Sequence, residues 1–257
     1  MVEHGKRRVK SDRGIDRETA SADRIARLRI RLPPVNVLRL SDLELLSQRI
    51  DESRGTEVLI LAGLPETFSA GVDVADHMPE ADSIDRMLRA MRRVLEALVE
   101  TPAITIAAVS GACLGGGAEI ACACDLVIAA EDARIGFPEI RLACFPPGAA
   151  ALLPLRIGSA RAWDWILTGR IVSGREAAQA GFATRTVEPG SVAAAADRLA
   201  NEVANKSPAA IGAVRRLIRQ ERREALAQIL PRAEEAYRGL AGSPDLAKAV
   251  EQFLKKN

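Results

Sequence analysis

The sequence predicts an α/β fold in which sheets are covered by helices, followed by a mostly helical C-terminal part. Three observations carry this. Short β-branched and aliphatic runs alternate with helix-length amphipathic segments through the first part of the chain. A glycine-dense turn, GACLGGG, joins one such run directly to a helix. Beyond Pro146-Pro147 the pattern becomes helical, and a boundary is expected near 190, between a core of 1–190 and a helical region of 191–257.

In chain order, RIARLRIRL (24–32) largely alternates apolar and basic residues, the mark of a strand with one wet face, and Pro33-Pro34 stops it. Ser41 is expected to cap a helix reaching about Ile50, with Glu44 completing a capping box. EVLILAG (57–63) is expected as a buried strand, LPETFSAGVDV as a loop, and a helix from about Ser83 to Glu100. Thr101-Pro102 ends that helix, and ITIAAVS (104–110) is the next strand. The turn GACLGGG and the helix AEIACAC follow, then short strands at 125–130 and 133–137. Helices are expected at about 148–156, 159–168 and 174–180, the last closed by Gly181, and then a strand in ATRTVEP (183–189). From Ser191 onward the sequence is mostly helical, and the Arg-rich face of 209–230 is expected to be solvated beside the core or a subunit interface.

Composition narrows the function. The 257 residues can bury roughly 70–75% of the unfolded chain's surface, so the core needs no staples. Basic and acidic residues nearly balance, 36 against 34, and aromatics are 3%, which argues against a polyanion-binding or base-stacking nucleic-acid protein. A local basic pocket for a phosphorylated small molecule stays compatible with this balance. No run of about 18 apolar residues marks a membrane span, and the basic N-terminus lacks the apolar stretch of a secretory signal, so a cytoplasmic location is expected. Cys113, Cys122, Cys124 and Cys144 have no histidine or cysteine cluster to complete a metal site, and are expected as buried thiols. With His4 near the N-terminus and His77 the other histidine, acid–base chemistry falls to carboxylates.

Two loops stand out. In Phe68-Ser69-Ala70-Gly71-Val72-Asp73 small residues let backbone N–H groups approach a ligand. In Gly115-Gly116-Gly117-Ala118-Glu119 glycines open a helix, where unpaired N–H groups at the positive dipole end suit an oxyanion or a phosphate. Neither GxGxxG nor a P-loop is present. Glu119 lies in the first turn of an otherwise apolar helix, and Glu139 follows Pro138, which fixes its local turn. Trp163 and Trp165, two apart, do not share a helix face, so at least one is expected to pack.

The runs FSAGVD and SGACLGGGAEIACACDLVIAAEDARIGFPEI resemble the enoyl-CoA hydratase/isomerase (crotonase) superfamily, and the resemblance extends from PPVNVL at 33–38 to the closing SPDLAKAVEQFLKK. It implies a crotonase spiral of repeated ββα units, with a helical C-terminal region that helps build trimers or dimers of trimers. It implies an acyl-CoA thioester substrate, with coenzyme A a part of the substrate and no separate cofactor or metal. The backbone N–H groups of Val72 and Gly116 would grip the thioester oxygen, and Glu119 and Glu139 would add water syn across the enoyl double bond. Glu119 would orient and deprotonate the water, and Glu139 would protonate the α-carbon. Ser69, Ala70, Gly71, Asp73, Gly115, Pro138 and Phe145 would contact the substrate. Arg24, Arg27, Lys255 and Lys256 are candidates for the coenzyme A phosphates, and His77 for the pocket.

The segment Ala143-Cys144-Phe145-Pro146-Pro147-Gly148-Ala149-Ala150 departs from the superfamily's proline and glycine-rich turn. It resembles the cyclohexa-1,5-diene-1-carbonyl-CoA hydratases, and its bulky Phe145 and second proline would reshape the acyl pocket. The alternatives are an enoyl-CoA isomerase or another acyl-CoA lyase of the same fold, and a non-catalytic binding protein.

Overall fold

The computed structural model describes residues 13–20, 24–74 and 81–256; His4 and His77 lie outside them. Two strands open the described chain, β1 (Gly14–Ala20) and β2 (Ile25–Arg31), paired antiparallel. After a two-residue strand β3 (Val37–Leu38) comes helix α1 (Leu40–Glu52), which buries Leu43, Leu46 and Ile50 on one face. Its cap differs from the expected one. Ser41 lies inside the first turn, and the Asp42 carboxylate accepts from the Arg39 N–H at 3.0 Å, so the box closes two residues earlier.

The core is then built by repetition. β4 (Val58–Ala62) and β5 (Thr67–Ser69), with the two-residue β6 (Gly71–Val72), lead to α2 (Ala81–Glu100). β7 (Ile104–Val109) and β8 (Ala112–Leu114) lead to α3 (Gly116–Ala123). β9 (Leu126–Ala130) and β10 (Arg134–Gly136) lead to a 3-10 turn at Pro138–Leu142 and α4 (Pro147–Ile157). In each unit the first strand joins a large sheet and the second a small one, and a helix returns the chain.

Next come α5 (Ser159–Thr168), β11 (Ile171–Ser173), α6 (Gly174–Ala180) and β12 (Arg185–Val187). Among the described residues the large sheet runs β1-β2-β4-β7-β9-β12, parallel except for β1, and the small one β11-β10-β8-β5. This is the crotonase arrangement of ββα turns. The loop expected over LPETFSAGVDV therefore contains β5 and β6, the glycine-dense turn contains β8, and the strand expected at 133–137 gives way at Phe137 to the 3-10 turn.

Continuous apolar runs in β4, β7 and β9 are buried on both faces, as parallel strands under helices require. Five helices close the described chain: α7 (Val192–Ala204), α8 (Pro208–Ile218), α9 (Gln220–Gln228), α10 (Leu230–Leu240) and α11 (Pro244–Lys256). α7 covers β4, β7 and β9, whereas α10 and α11 reach back over α2, α4 and the 3-10 turn.

Arg219, on the face expected to be solvated, is buried. Its guanidinium donates to the carbonyls of Val99 (3.1 Å), Thr101 (2.5 Å) and Ala103 (2.7 Å) and pairs with Asp125, satisfying groups at the end of α2 that lack helical partners. The four cysteines are free and buried. Of the two tryptophans, Trp165 is packed and Trp163 exposed. Among the described residues no helix is long and apolar enough to cross a membrane, and no group of three or more His, Cys, Asp or Glu could hold a metal ion.

Candidate active site

Asn36 anchors the first loop. It is fully buried in a left-handed conformation (φ +52°), and its side-chain amide donates to the carbonyls of Ile30, Thr67 and Phe68 at 3.0–3.1 Å. Its carbonyl accepts from the Ser69 hydroxyl at 2.8 Å, and that hydroxyl in turn accepts from the Gly71 N–H at 3.1 Å. The Asp73 N–H pairs with Leu38 on β3, so by strand alternation the Val72 N–H faces the other way.

Gly71 makes the close approach possible. It has φ +110°, and a Cβ there would lie 3.1 Å from the Leu114 carbonyl and 3.7 Å from the Gly116 nitrogen. Gly116 is the first residue of α3, whose N–H has no intrahelical acceptor. A Cβ on it would fall 2.6 Å from Val72 Cγ2, 2.7 Å from Met91 Cε and 3.6 Å from the Val72 nitrogen. The two motifs thus bring the Val72 and Gly116 backbones close together.

Glu119 is 4% exposed, one turn into α3. Its Oε1 accepts from the Ala149 N–H at 2.9 Å and it is also bonded by the Gly148 N–H, both in the first turn of α4. Burial pushes its carboxyl up, and those two N–H groups hold it partly down. Gly148 leaves room for two side-chain ends: a Cβ there would lie 3.0 Å from Glu119 Oε1 and 2.5 Å from Leu95 Cδ1, so both would have to shift. The alanines that depart from the superfamily pattern do no such harm, since Ala149 presents only its N–H to Glu119.

Glu139 sits on the 3-10 turn, started by Pro138 and ended by Ala143 in the left-handed region (φ +56°). Its Oε1 faces Gly115, where a Cβ would come within 2.9 Å, and its buried Oε2 has no hydrogen-bond partner among the described residues. Burial first, and then the charge of Glu119, push its carboxyl up. Two carboxylates on one largely apolar cavity, one bonded by N–H groups and one with an oxygen that has no partner among the described residues, suit paired acid–base work.

Both glutamates line a single cavity of about 320 Å³, together with Ala70, Gly71, Val72, Gly115, Gly116, Pro138 and Phe145. Ser69 and Asp73 do not reach it. The Ser69 hydroxyl is spent on Asn36 and Gly71, and the Asp73 carboxylate lies 3.5 Å from Arg39. Arg24 pairs with Glu57 and Arg27 with Glu18 and Asp197, and neither lines the cavity. Lys255 pairs with Glu251 on α11, the helix that lends Leu246, Val250 and Phe253 to the wall.

The sequence did not single out Asn36, Met91, Leu95 or Tyr237. The helical spacing of Leu88, Met91, Arg92 and Leu95 marks an inward face without saying what it covers. Tyr237 on α10 packs edge-on against Phe145 (centroids 5.8 Å apart), and the Cys144 thiol lies close to its hydroxyl. That thiol is pushed up to about 11 by burial.

The family model for enoyl-CoA hydratase/isomerase matches residues 21–257. Cyclohexa-1,5-dienecarbonyl-CoA hydratase of Thauera aromatica is 31% identical over 236 residues, covering 90% of each chain. A Bacillus subtilis protein named "Probable enoyl-CoA hydratase" is 33% identical, covering 90% of this chain and 93% of its own. The crystal structure of an enoyl-CoA hydratase/isomerase from Xanthobacter autotrophicus is 30% identical, with a TM-score of 0.84 over 94% of this chain and 93% of its own.

Proposed function

This chain is an enzyme of the enoyl-CoA hydratase/isomerase family, and on that premise we propose that it adds water across the α,β double bond of an enoyl-CoA thioester. The observation that carries this reading is a pair of glutamates, Glu119 buried and Glu139 half-buried with a buried Oε2, on one largely apolar cavity that Val72 and Gly116 also line.

The chemistry follows from charge. Attack of water at the β-carbon moves an electron pair toward the thioester oxygen. The N–H groups of Val72 and Gly116, fixed before the reaction, receive that charge, and one such donor contributes about 3–4 kcal/mol in comparable sites. Glu119, ionised and oriented by the head of α4, takes a proton from the attacking water. Glu139, whose free oxygen best retains a proton, delivers it to the α-carbon. The new C–O and C–H bonds form on one face, and the pair keeps one proton throughout.

The ring-substrate reading is supported by the 31% identity to a cyclic dienoyl-CoA hydratase and by the Phe145–Tyr237 aromatic wall. The test follows the enoyl-thioester absorbance of crotonyl-CoA and of cyclohexa-1,5-diene-1-carbonyl-CoA. Loss of absorbance with appearance of the hydroxyacyl product supports hydration, and the faster compound identifies the acyl class. A double-bond shift without water uptake would instead mark an isomerase.

A further inference from the structure

Apart from the two glutamates, the side chains on the cavity wall are apolar with four exceptions among the described residues: Arg92, Glu234, Tyr237 and the Cys144 thiol. Three of these form one patch between α2 and α10. Glu234 and Tyr237 lie three residues apart on α10, and Arg92 reaches Glu234 from α2. Glu234 is 1% exposed. Arg92 Nε donates to its Oε1 at 2.9 Å, and Nη2 donates to its Oε2. This side-on pairing uses one edge of the guanidinium and leaves Nη1, whose two N–H groups have no partner among the described residues.

Resting on the hydratase reading above, we infer that the acyl group this cavity prefers, chain or ring, carries a neutral oxygen, a hydroxyl or a ketone, that crotonyl-CoA and the cyclic dienoyl-CoA lack, and that Arg92 Nη1 donates to it. Arg92 is 30% exposed and its charge is met by Glu234, so Nη1 is a charge-assisted donor left over on a largely apolar wall; an acyl oxygen placed against it gains a strong hydrogen bond that a hydrocarbon acyl group cannot make. Charge selects a neutral oxygen over a carboxylate. Arg92 is already compensated by Glu234, and Glu96 lies close enough to both to feel their charges. A carboxylate-ended acyl group would add another negative charge to a cavity that already holds Glu119, Glu139 and Glu234.

The test compares pairs of 2-enoyl-CoA thioesters of equal chain length, unsubstituted and ω-hydroxylated, from four to eight carbons. Wild type should favour the hydroxylated member at one length by about tenfold or more in kcat/KM, the factor a single charge-assisted hydrogen bond supplies. Arg92→Met combined with Glu234→Met, which removes both charges together, should bring that ratio close to one. Arg92→Lys, which keeps the charge but loses the fork, should do the same. A wild-type enzyme that hydrates both series without preference at every length overturns the inference and leaves the hydratase reading intact. So does a preference that persists in either variant. Hydration of neither series removes the hydratase reading and the inference with it.

Discussion

The Ala149 N–H donates to Glu119 Oε1 at 2.9 Å, so a carboxylate on α3 is held by the first turn of α4. This joins the residue proposed to activate water to the segment where the sequence departs from its superfamily. Position 148 sets the geometry. Gly148→Ala puts a methyl group against Leu95 and Glu119, and overpacking of this kind costs about 1–3 kcal/mol. Activity should fall by at least tenfold, because Glu119 must move to make room. Ala149→Gly, which leaves the N–H in place, should keep most activity. Steady-state kinetics alongside thermal unfolding separates the two outcomes.

Glu139 costs stability at neutral pH. Its folded carboxyl is raised above its ordinary value, by burial and then by the charge of Glu119. Its contribution to stability is therefore full at acid pH and is lost as pH rises from the ordinary carboxylate value through the raised folded one. Gln cannot ionise, so Glu139→Gln should unfold at a higher temperature than wild type near pH 8. The gain should be roughly 2–4 °C for each kcal/mol recovered. Near pH 4 the two proteins should converge. Melting curves across this range check the prediction, and a constant difference at every pH would refute it.

Arg219 and Asp125 give the opposite sign. Burial alone would push the Asp125 carboxyl up, but Arg219, the Thr105 N–H and Arg222 together hold it below the ordinary range. Its contribution is present above the ordinary carboxylate value and is lost as pH falls through the depressed one. Arg219→Met leaves Asp125 and three carbonyls without this partner, and breaking a buried pair from one side costs about 3–5 kcal/mol. Urea unfolding should show a lower midpoint, with the deficit narrowing in acid.

Asn36 holds the Val72 loop from behind. Asn36→Ala leaves three buried carbonyls without their donor and places alanine at φ +52°, for a cost on the order of 3 kcal/mol. On the proposed role of the Val72 N–H, which acts on developing charge, kcat should fall more than KM rises. A rise in KM alone would place the loop outside the chemistry.

Much of the site was legible before the fold. Glycines at the head of an apolar helix that carries one glutamate, and a proline fixing another, single out two glutamates, and both line one cavity. Ser69 and Asp73 belong to the same motif, yet their side chains turn to Asn36 and Arg39, a distinction set by partners more than 30 positions away. The short strands β5, β6 and β8 were hidden because two or three residues among glycines have no period, and their pairing is fixed by distant strands. Arg219 read as solvated because a helix face says nothing of the unpaired carbonyls waiting opposite it. Tyr237 was hidden for the same reason: α10 shows an apolar stripe, and only packing reveals that it closes the cavity beside Phe145.

The central claim is that both glutamates take part in moving protons around one water. The most direct measurement is the hydration rate of the faster of the two enoyl-CoA thioesters by wild type, Glu119→Gln and Glu139→Gln, each shown to be folded by its melting curve. The paired mechanism predicts that each variant alone loses about 100-fold or more in kcat. Near wild-type turnover in either variant would contradict it, leaving one carboxylate to do the work of two.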